Sequence, residues 1–292
     1  MGPTKVVTVT RRLCEEWLMR ALMMLSAAAV VGGLLILIVV ITVQGAGALS
    51  WAMVTQLPSG GYYLGKEGGL LNAIVGSLLL AGGATLLAGV LALPVALYLQ
   101  RDYGGDTRRA NLVRMSLDLL WGVPSIVYGA FGFTIMLYLG MRASLLGGIL
   151  ALTLVVLPIM ARAMDEVFRL VSVSLKEASW ALGATRWETM RSVVLRQALP
   201  GLLTAVLLAF GRAIGDAASV LFTAGYTDNL PQSLLDPVAS LPLAVFFQLG
   251  TPFPEVQQRA YAAAFILLVL VLLVSVGGRL LASRMSRFSA DR

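Results

Sequence analysis

The sequence predicts an all-α membrane protein with six transmembrane helices. Three observations carry this reading. Of the 292 residues, 58% are hydrophobic and 13% charged, against about 25% charged in an ordinary soluble domain, so too little polar surface exists to clothe a globule in water. The apolar residues gather into runs of roughly 20, the length that crosses a hydrocarbon core about 30 Å thick. The basic residues fall between these runs, crowded into alternate loops, as orientation in a bilayer requires.

The same composition closes several function classes. The chain has no histidine, which removes Ser-His-Asp catalysis, histidine acid–base chemistry and histidine-ligated metal. Cys14 is the single cysteine, so neither a disulfide framework nor a multi-cysteine metal site is expected. The net charge of +7 is distributed among apolar blocks. A nucleic-acid partner would need it gathered on one soluble face, and none is expected.

The spans are placed at residues 21–43, 72–99, 113–139, 144–166, 201–222 and 260–282. With a cytoplasmic N-terminus, 18 of the 22 Lys and Arg residues lie inside. They cluster before the first span, at Arg101 to Arg114, at Arg162 to Arg196, and from Arg279 onward. Only Lys66, Arg142 and Arg259 lie outside, and Arg212 lies within a span. Both termini are therefore expected in the cytoplasm. The first span ends in Ala46-Gly47-Ala48, a pattern that a signal peptidase could read. The apolar run before it exceeds the roughly 7–15 residues of a signal core, so an uncleaved anchor is expected.

Residues 1–67 then form an N-terminal segment, the first span and an external loop containing Gly60-Gly61 and Gly68-Gly69. Residues 68–283 form the main membrane domain, and 284–292 a cytoplasmic tail. Pro94 and Pro158 lie inside spans and read as kinks. The stretch WGVPSIVYGAFGF (121–133) combines Pro124, Ser125, Tyr128 and three glycines. Irregular backbone at that depth is tolerated where it is buried in protein or lines a cavity, so Ser125 and Tyr128 are candidates for a substrate pathway. The outer loop 223–258 has five prolines, three acids and no base. Its apolar middle, LPLAVFFQL, suits a short interfacial helix, a lip on a pathway or a lid on the bundle.

Residues 167–200 read as a cytoplasmic helix–turn–helix. Ser174 with Glu177, and Thr185 with Glu188, have the spacing of two capping boxes. Gly183 falls between them, where a helix end favours positive φ. Trp187, Met190 and Val194 form an apolar stripe on the second helix, which Leu199-Pro200 is expected to end. The stripe needs a partner, either the chain's own bundle or a soluble subunit.

The fifth span carries FGRAIGDAASVLF (210–222), with Arg212 and Asp216 four residues apart. Each charge costs about 2.5–3.5 kcal/mol at the bilayer centre, and such residues usually face a bundle interior or a water-filled path. One reading is an ion pair that neutralises itself. The other is an anion pathway, in which Arg212 offers a planar fork of donors to phosphate-like oxygens. Asp216 would then accept a hydrogen bond from an oxyanion that still carries a proton.

The segment EASWALGATRWETMRSVVLRQALPG resembles the EAA loop of ABC importer permeases. Glu177, Ala178 and Ser179 fill its first three positions, Gly183 its glycine, and Val193 and Leu195 its later apolar positions; Arg196 stands where that family has proline. Residues 68–103, 123–132 and 212–225 resemble the PstA-type permeases of phosphate importers, with Asp216 and Ala217 in place of the usual Glu and Thr. The resemblance spans about residues 68–283. It implies a type I ABC importer transmembrane domain in the cell inner membrane, moving phosphate inward. The loop, with Glu177, Ala178, Ser179, Gly183 and Arg186, would be a coupling helix–turn–helix. Two cytoplasmic ATPase subunits, a second homologous permease and an extracytoplasmic phosphate-binding protein are the implied partners. None of the three lysines lies in a P-loop, so no cofactor or ATPase site is expected in this chain, and ATP with Mg would be bound by the partner ATPase. Another oxyanion such as molybdate or tungstate, an ATP-independent channel or carrier, and a membrane anchor for an enzyme stay open from the residues alone.

Overall fold

In the computed structural model, residues 4–59, 67–105 and 107–290 are described, with side chains described for 12–59, 68–105 and 107–283. Gly60-Gly61 and Lys66 of the expected outer loop lie outside the described residues, as do the side chains of the 284–292 tail.

The chain is built of helices: α1 (Thr4–Ala48), α2 (Trp51–Thr55), α3 (Leu71–Tyr98), α4 (Arg108–Trp121), α5 (Ser125–Tyr138), α6 (Leu145–Arg169), α7 (Val173–Ala181), α8 (Arg186–Thr189), α9 (Leu195–Ile214), α10 (Leu241–Leu249) and α11 (Pro254–Ala290). A two-residue antiparallel pairing, Pro58–Ser59 with Glu67–Gly68, sits before α3. Among the described residues five helical stretches are long and apolar enough to cross a membrane, and the bent pair α4–α5 makes six if it is counted as one broken span. The expected third span is thus not one helix. α4 and α5 meet at 98° around Gly122-Val123-Pro124, because Pro124 cannot donate into a continuing ladder and pushes Val123 out of helical backbone. By contrast α3 runs on through Pro94 and α6 through Pro158.

The centre of the bundle is the contact of α3 with α6. Ala81, Ala84, Ala88, Ala92 and Ala96 repeat every three or four residues along α3, all with no solvent exposure. Lipid tails are as apolar as leucine, so helices associate in a bilayer by close packing rather than by expelling water. A stripe of small side chains lets α6 approach closely, bringing Leu152, Val156, Met160 and Phe168 into the same core. α9 joins this core through Leu202, Ala205, Ala209 and Ala213, and α11 covers α9 and α10. α1 packs chiefly on α11, crossing at Gly45, where a Cβ would meet Tyr261 O at 2.5 Å.

The largest departure from expectation is the fifth span. Its helix stops at Ile214, and residues 215–240 are irregular. This segment folds back against the starts of α6 and α3. Ser144 N donates to Thr223 O, Leu145 N to Asp236 O and Leu146 N to Leu234 O, each at 2.8 Å. The first donors of a helix have no intrahelical acceptor, so the segment's carbonyls and the start of α6 satisfy one another. Leu241 N donates to Ser77 Oγ and Asn72 Nδ2 to Thr227 O in the same manner on α3. LPLAVFFQL is the helix α10, with its first four residues buried in the bundle and Phe246 and Leu249 exposed.

Enlarging the α3 stripe should separate the central helices. We expect Ala88→Leu to lower stability by about 1–3 kcal/mol, the usual cost of overpacking, read as a lower melting temperature of the detergent-solubilised protein. Ala-to-Leu on the exposed face of α1, at Ala28, should leave it unchanged.

Candidate functional site

Arg212 lies in the last turn of α9 and Asp216 lies beyond its end. The two are therefore not neighbours on one helix. They meet because the chain turns at Gly215, where Asp216 N donates back to Ala213 O. Arg212 Nη1 stands 3.5 Å from Asp216 Oδ2. The pair is asymmetric: the Arg212 side chain is 42% exposed and that of Asp216 4%. Helix carbonyls unpaired at the C-terminal end favour a cation there, which suits Arg212. Asp216 Oδ1 accepts from Ala218 N at 3.1 Å and so fixes the turn. Its Oδ2 is buried and makes no hydrogen bond, and nearby Ser219 Oγ is likewise unpartnered. A cavity of about 10 Å³, lined by Ser77, Asp216 and Ser240 among others, adjoins the carboxylate, room for roughly one water molecule.

Glycine lets the broken segment reach this position. A Cβ on Gly129 of α5 would stand 2.7 Å from Ser219 O and 2.9 Å from Ala218 O. One on Gly76 of α3 would collide with Ala239 O. Ser125 and Tyr128 belong to this neighbourhood differently from Arg212. Tyr128 is buried and donates from its hydroxyl to Leu120 O at 2.8 Å, pinning α5 to α4 across the bend. Ser125 opens α5 and is half-buried. No hydrogen bond or ion pair joins either to Arg212 or Asp216 among the described residues, so the structure gives Tyr128 a bracing contact rather than a place beside the pair.

The hairpin 172–198 forms, with three differences. Gly183 adopts φ +84° between α7 and α8, a backbone that residues with a Cβ rarely adopt. The Thr185–Glu188 capping box is present in both directions. The Ser174–Glu177 box is not: α7 begins at Val173 behind Ser172, which gives no side-chain cap, and the Ser172 and Ser174 hydroxyls bond each other at 2.7 Å. The second helix also does not end at Leu199-Pro200. It continues from α8 through a π-helical turn, Met190–Val194, into α9, which contains Pro200. A π-turn shifts the hydrogen-bond register, joining the hairpin to the fifth span as one rod. Of the apolar stripe, Met190 and Val194 are buried in the bundle core while Trp187 is exposed.

The site residues of the hairpin divide by face. Glu177 and Ala178 are exposed, and Ser179 is half-buried, its hydroxyl 2.9 Å from that of Thr189. Arg186 Nη1 donates to Asp102 O at 2.8 Å, and Tyr103 donates from its hydroxyl to Arg186 O. Burial and the neighbouring Asp102 push the Tyr103 phenol above its ordinary pKa, which keeps that donor protonated. Leu170, Val173, Leu182 and Trp187 are exposed around the hairpin, an apolar surface of the kind that marks a partner site.

One ionic centre was not legible in the sequence. Asp165 of α6 is fully buried. Its Oδ2 lies 3.4 Å from Arg114, 3.5 Å from Arg162 and 3.0 Å from Arg169, and its Oδ1 accepts from Gln100 at 3.0 Å. Arg162 also pairs with Asp118 at 2.8 Å. This node locks α3, α4 and α6 together beneath the hairpin. The i+3 and i+4 spacing of Arg162, Asp165 and Arg169 was visible, but Arg114 is 51 positions away.

Comparison with known proteins fits this geometry. Residues 88–287 match the family described as binding-protein-dependent transport system inner membrane component. The chain belongs to that family of permeases. Curated relatives include the phosphate transport system permease protein PstA of Xylella fastidiosa, 38% identical over 75% of this chain and 76% of the relative. PstA of Haemophilus influenzae is 34% identical over 74% and 76%. PstA 1 of Mycobacterium tuberculosis is 37% identical over 77% and 72%. Among solved structures, the inward-facing MetNI methionine ABC transporter matches 74% of the permease and 95% of its own chain, with TM-score 0.60 at 22% identity. An amino acid ABC transporter matches with TM-score 0.56 at 20% identity. The fold is that of a type I ABC importer transmembrane domain.

Removing the shared carboxylate should be costly. Asp165→Asn removes the carboxylate that Arg114 faces and that Arg162 and Arg169 share, and we expect a loss of about 3–5 kcal/mol, as for other broken buried ion pairs. The measurement is thermal unfolding in detergent. Asp118→Asn, which removes an exposed partner of Arg162 only, should cost less than about 1 kcal/mol.

Proposed function

We propose that the permease is a membrane-spanning subunit of an ATP-driven importer of inorganic phosphate. The observation that carries this reading is the Arg212–Asp216 pair at the broken end of α9, with the arginine presented outward and the carboxylate held behind it, its Oδ2 facing Arg212 at 3.5 Å and making no hydrogen bond. An anion arriving at Arg212 meets a planar fork of donors. A half-filled acceptor behind that fork favours an oxyanion still carrying a proton, as phosphate does near neutral pH, over sulfate, which has no proton to give. The names of the PstA relatives support phosphate among such anions.

The basic end of the bundle, with the hairpin, faces the cytoplasm in this reading, with both termini on that side of the inner membrane. Two ATPase subunits bind and hydrolyse ATP with Mg; this chain holds no cofactor of its own and is not itself an enzyme. One of them docks on the exposed face of α7 around Glu177 and Ala178. Because α8, the π-turn and α9 are one rod, a push on the hairpin travels to Arg212 without passing through a flexible joint. A second, homologous permease completes the pathway beside Arg212, whose side chain projects from this chain rather than into its core. An extracytoplasmic binding protein delivers phosphate to the end carrying 223–258. A permease for another protonated oxyanion would use the same pair and differ only in the size of the path.

Phosphate uptake into proteoliposomes holding the full transporter tests the assignment. Arg212→Lys should cut uptake by at least roughly tenfold, the loss of a charge-assisted bond of about 1.5–3 kcal/mol. Asp216→Asn should lower the preference for phosphate over sulfate. Unchanged selectivity in Asp216→Asn would remove the carboxylate from substrate recognition. Glu177→Lys should abolish ATP-driven uptake while leaving the melting temperature unchanged.

A further inference from the structure

Behind the hairpin lies a cavity of about 500 Å³, between α7 and the ends of α3, α4 and α6. Its walls carry Arg101, Arg114, Arg169 and Lys176 and no carboxylate. Acids stand behind these walls. Asp165 is shared by Arg114, Arg162 and Arg169, and Asp102 holds Lys176 at 2.8 Å. Asp118 also takes Arg162, and Glu166 stands 4.0 Å from Arg169, so facing the cavity Arg114 and Arg169 share the buried Asp165. Lys176 is buried despite its charge, and only one of its three donors is directed at Asp102. The Nη2 of Arg169 contacts Asp165 and its Nε stands 4.0 Å from Glu166, while among the described residues no hydrogen bond holds its Nη1. Val173, the first residue of α7, lines the same space, and Ser172 offers no side-chain cap to the donors of that turn. Concentrated cations, spare donors and the positive end of a nine-residue helix converge on one polar cavity.

We infer that this cavity is a binding site for a phosphate group, distinct from the pathway at Arg212, and that its occupancy restrains the hairpin. Lys176 is on the inner face of α7 and Glu177 on the outer, so an anion here joins α7 to α3, α4 and α6 while the outer face stays open to the ATPase. A ligand bound more tightly when α7 rests against the bundle opposes any movement that pulls α7 away, by its difference in affinity for the two arrangements. Accumulated product would thus slow its own import. This role rests on the phosphate-importer reading, whereas the site itself does not. The phosphate group has two sources, free phosphate or the headgroup of an anionic inner-leaflet lipid.

The test is binding of radiolabelled inorganic phosphate to the Arg212→Ala permease, with its ATPase and permease partners but without the binding protein, in phosphatidylcholine nanodiscs. The Arg212→Ala background silences the transport site. One phosphate per permease should bind; Arg169→Gln with Lys176→Gln should weaken it at least tenfold, and Arg169→Lys, which keeps the charge, should retain it. Repeating the measurement with phosphatidylglycerol in the nanodiscs separates the sources: displaced phosphate assigns the site to the lipid headgroup, and undiminished binding assigns it to the free anion. Phosphate binding that is absent in both lipids, or indifferent to Arg169→Gln with Lys176→Gln in a variant that melts normally, overturns the proposal. Uptake by the unsubstituted transporter keeps the two claims apart. Uptake without the second site refutes this inference alone, and a second site without uptake refutes the importer reading alone.

Discussion

Backbone polar groups at membrane depth must find partners within the protein, and the permease is organised around a place where its helices fail to provide them. α9 stops at Ile214 in the middle of an apolar run, exposing carbonyls at its end and leaving residues 215–240 to be satisfied elsewhere. The start of α6 takes the carbonyls of Thr223, Leu234 and Asp236, and Ser77 and Asn72 of α3 take up further groups. Gly129 and Gly76 clear the approach. The close contact of α3 with α6 through the alanine stripe holds these acceptors and donors in register. A break this well supported is stable enough to place charge at its end.

That charge is arranged in depth. The carboxylate of Asp216 is spent half on the turn that follows the helix and half on Arg212, and the guanidinium is left turned outward. The pair is therefore neither a sealed, self-cancelling bridge nor an open cluster. Its rigid connection to the hairpin through the π-turn ties events at the basic end to the position of the arginine. The Asp165 node performs the complementary task on α3, α4 and α6, giving the hairpin a fixed base to move against.

Much of this was legible in the sequence, and what was not has physical reasons. Long apolar runs and one-sided basic loops gave the helices, since both follow from the bilayer acting as solvent. Gly183 and the Thr185–Glu188 box marked the hairpin because turn chemistry is local. The end of α9 reads through in the sequence, because the apolar run 201–222 resumes after Gly215-Asp216 and the spacing of Arg212 and Asp216 suits one continuous helix; support from α5 and α6 helps make the break possible there. The continuation through Pro200 was hidden by the same locality, since a proline forbids one donor but a π-turn upstream can absorb the shift. Ser174 looked like a cap, yet Ser172 was close enough to take its hydroxyl. Arg114 could not be joined to Asp165 by any spacing rule, since their meeting is a product of the α4–α5 bend.

The central claim is that Arg212 borders an aqueous path for an anion. Cys14 is the chain's only cysteine, so a Cys14→Ser background makes Arg212→Cys the sole thiol, and its labelling by a membrane-impermeant charged reagent in the assembled transporter reads that environment directly. The account predicts labelling of the folded, assembled transporter. A thiol at 212 that stays unlabelled through the transport cycle, yet reacts after detergent unfolding, would contradict it.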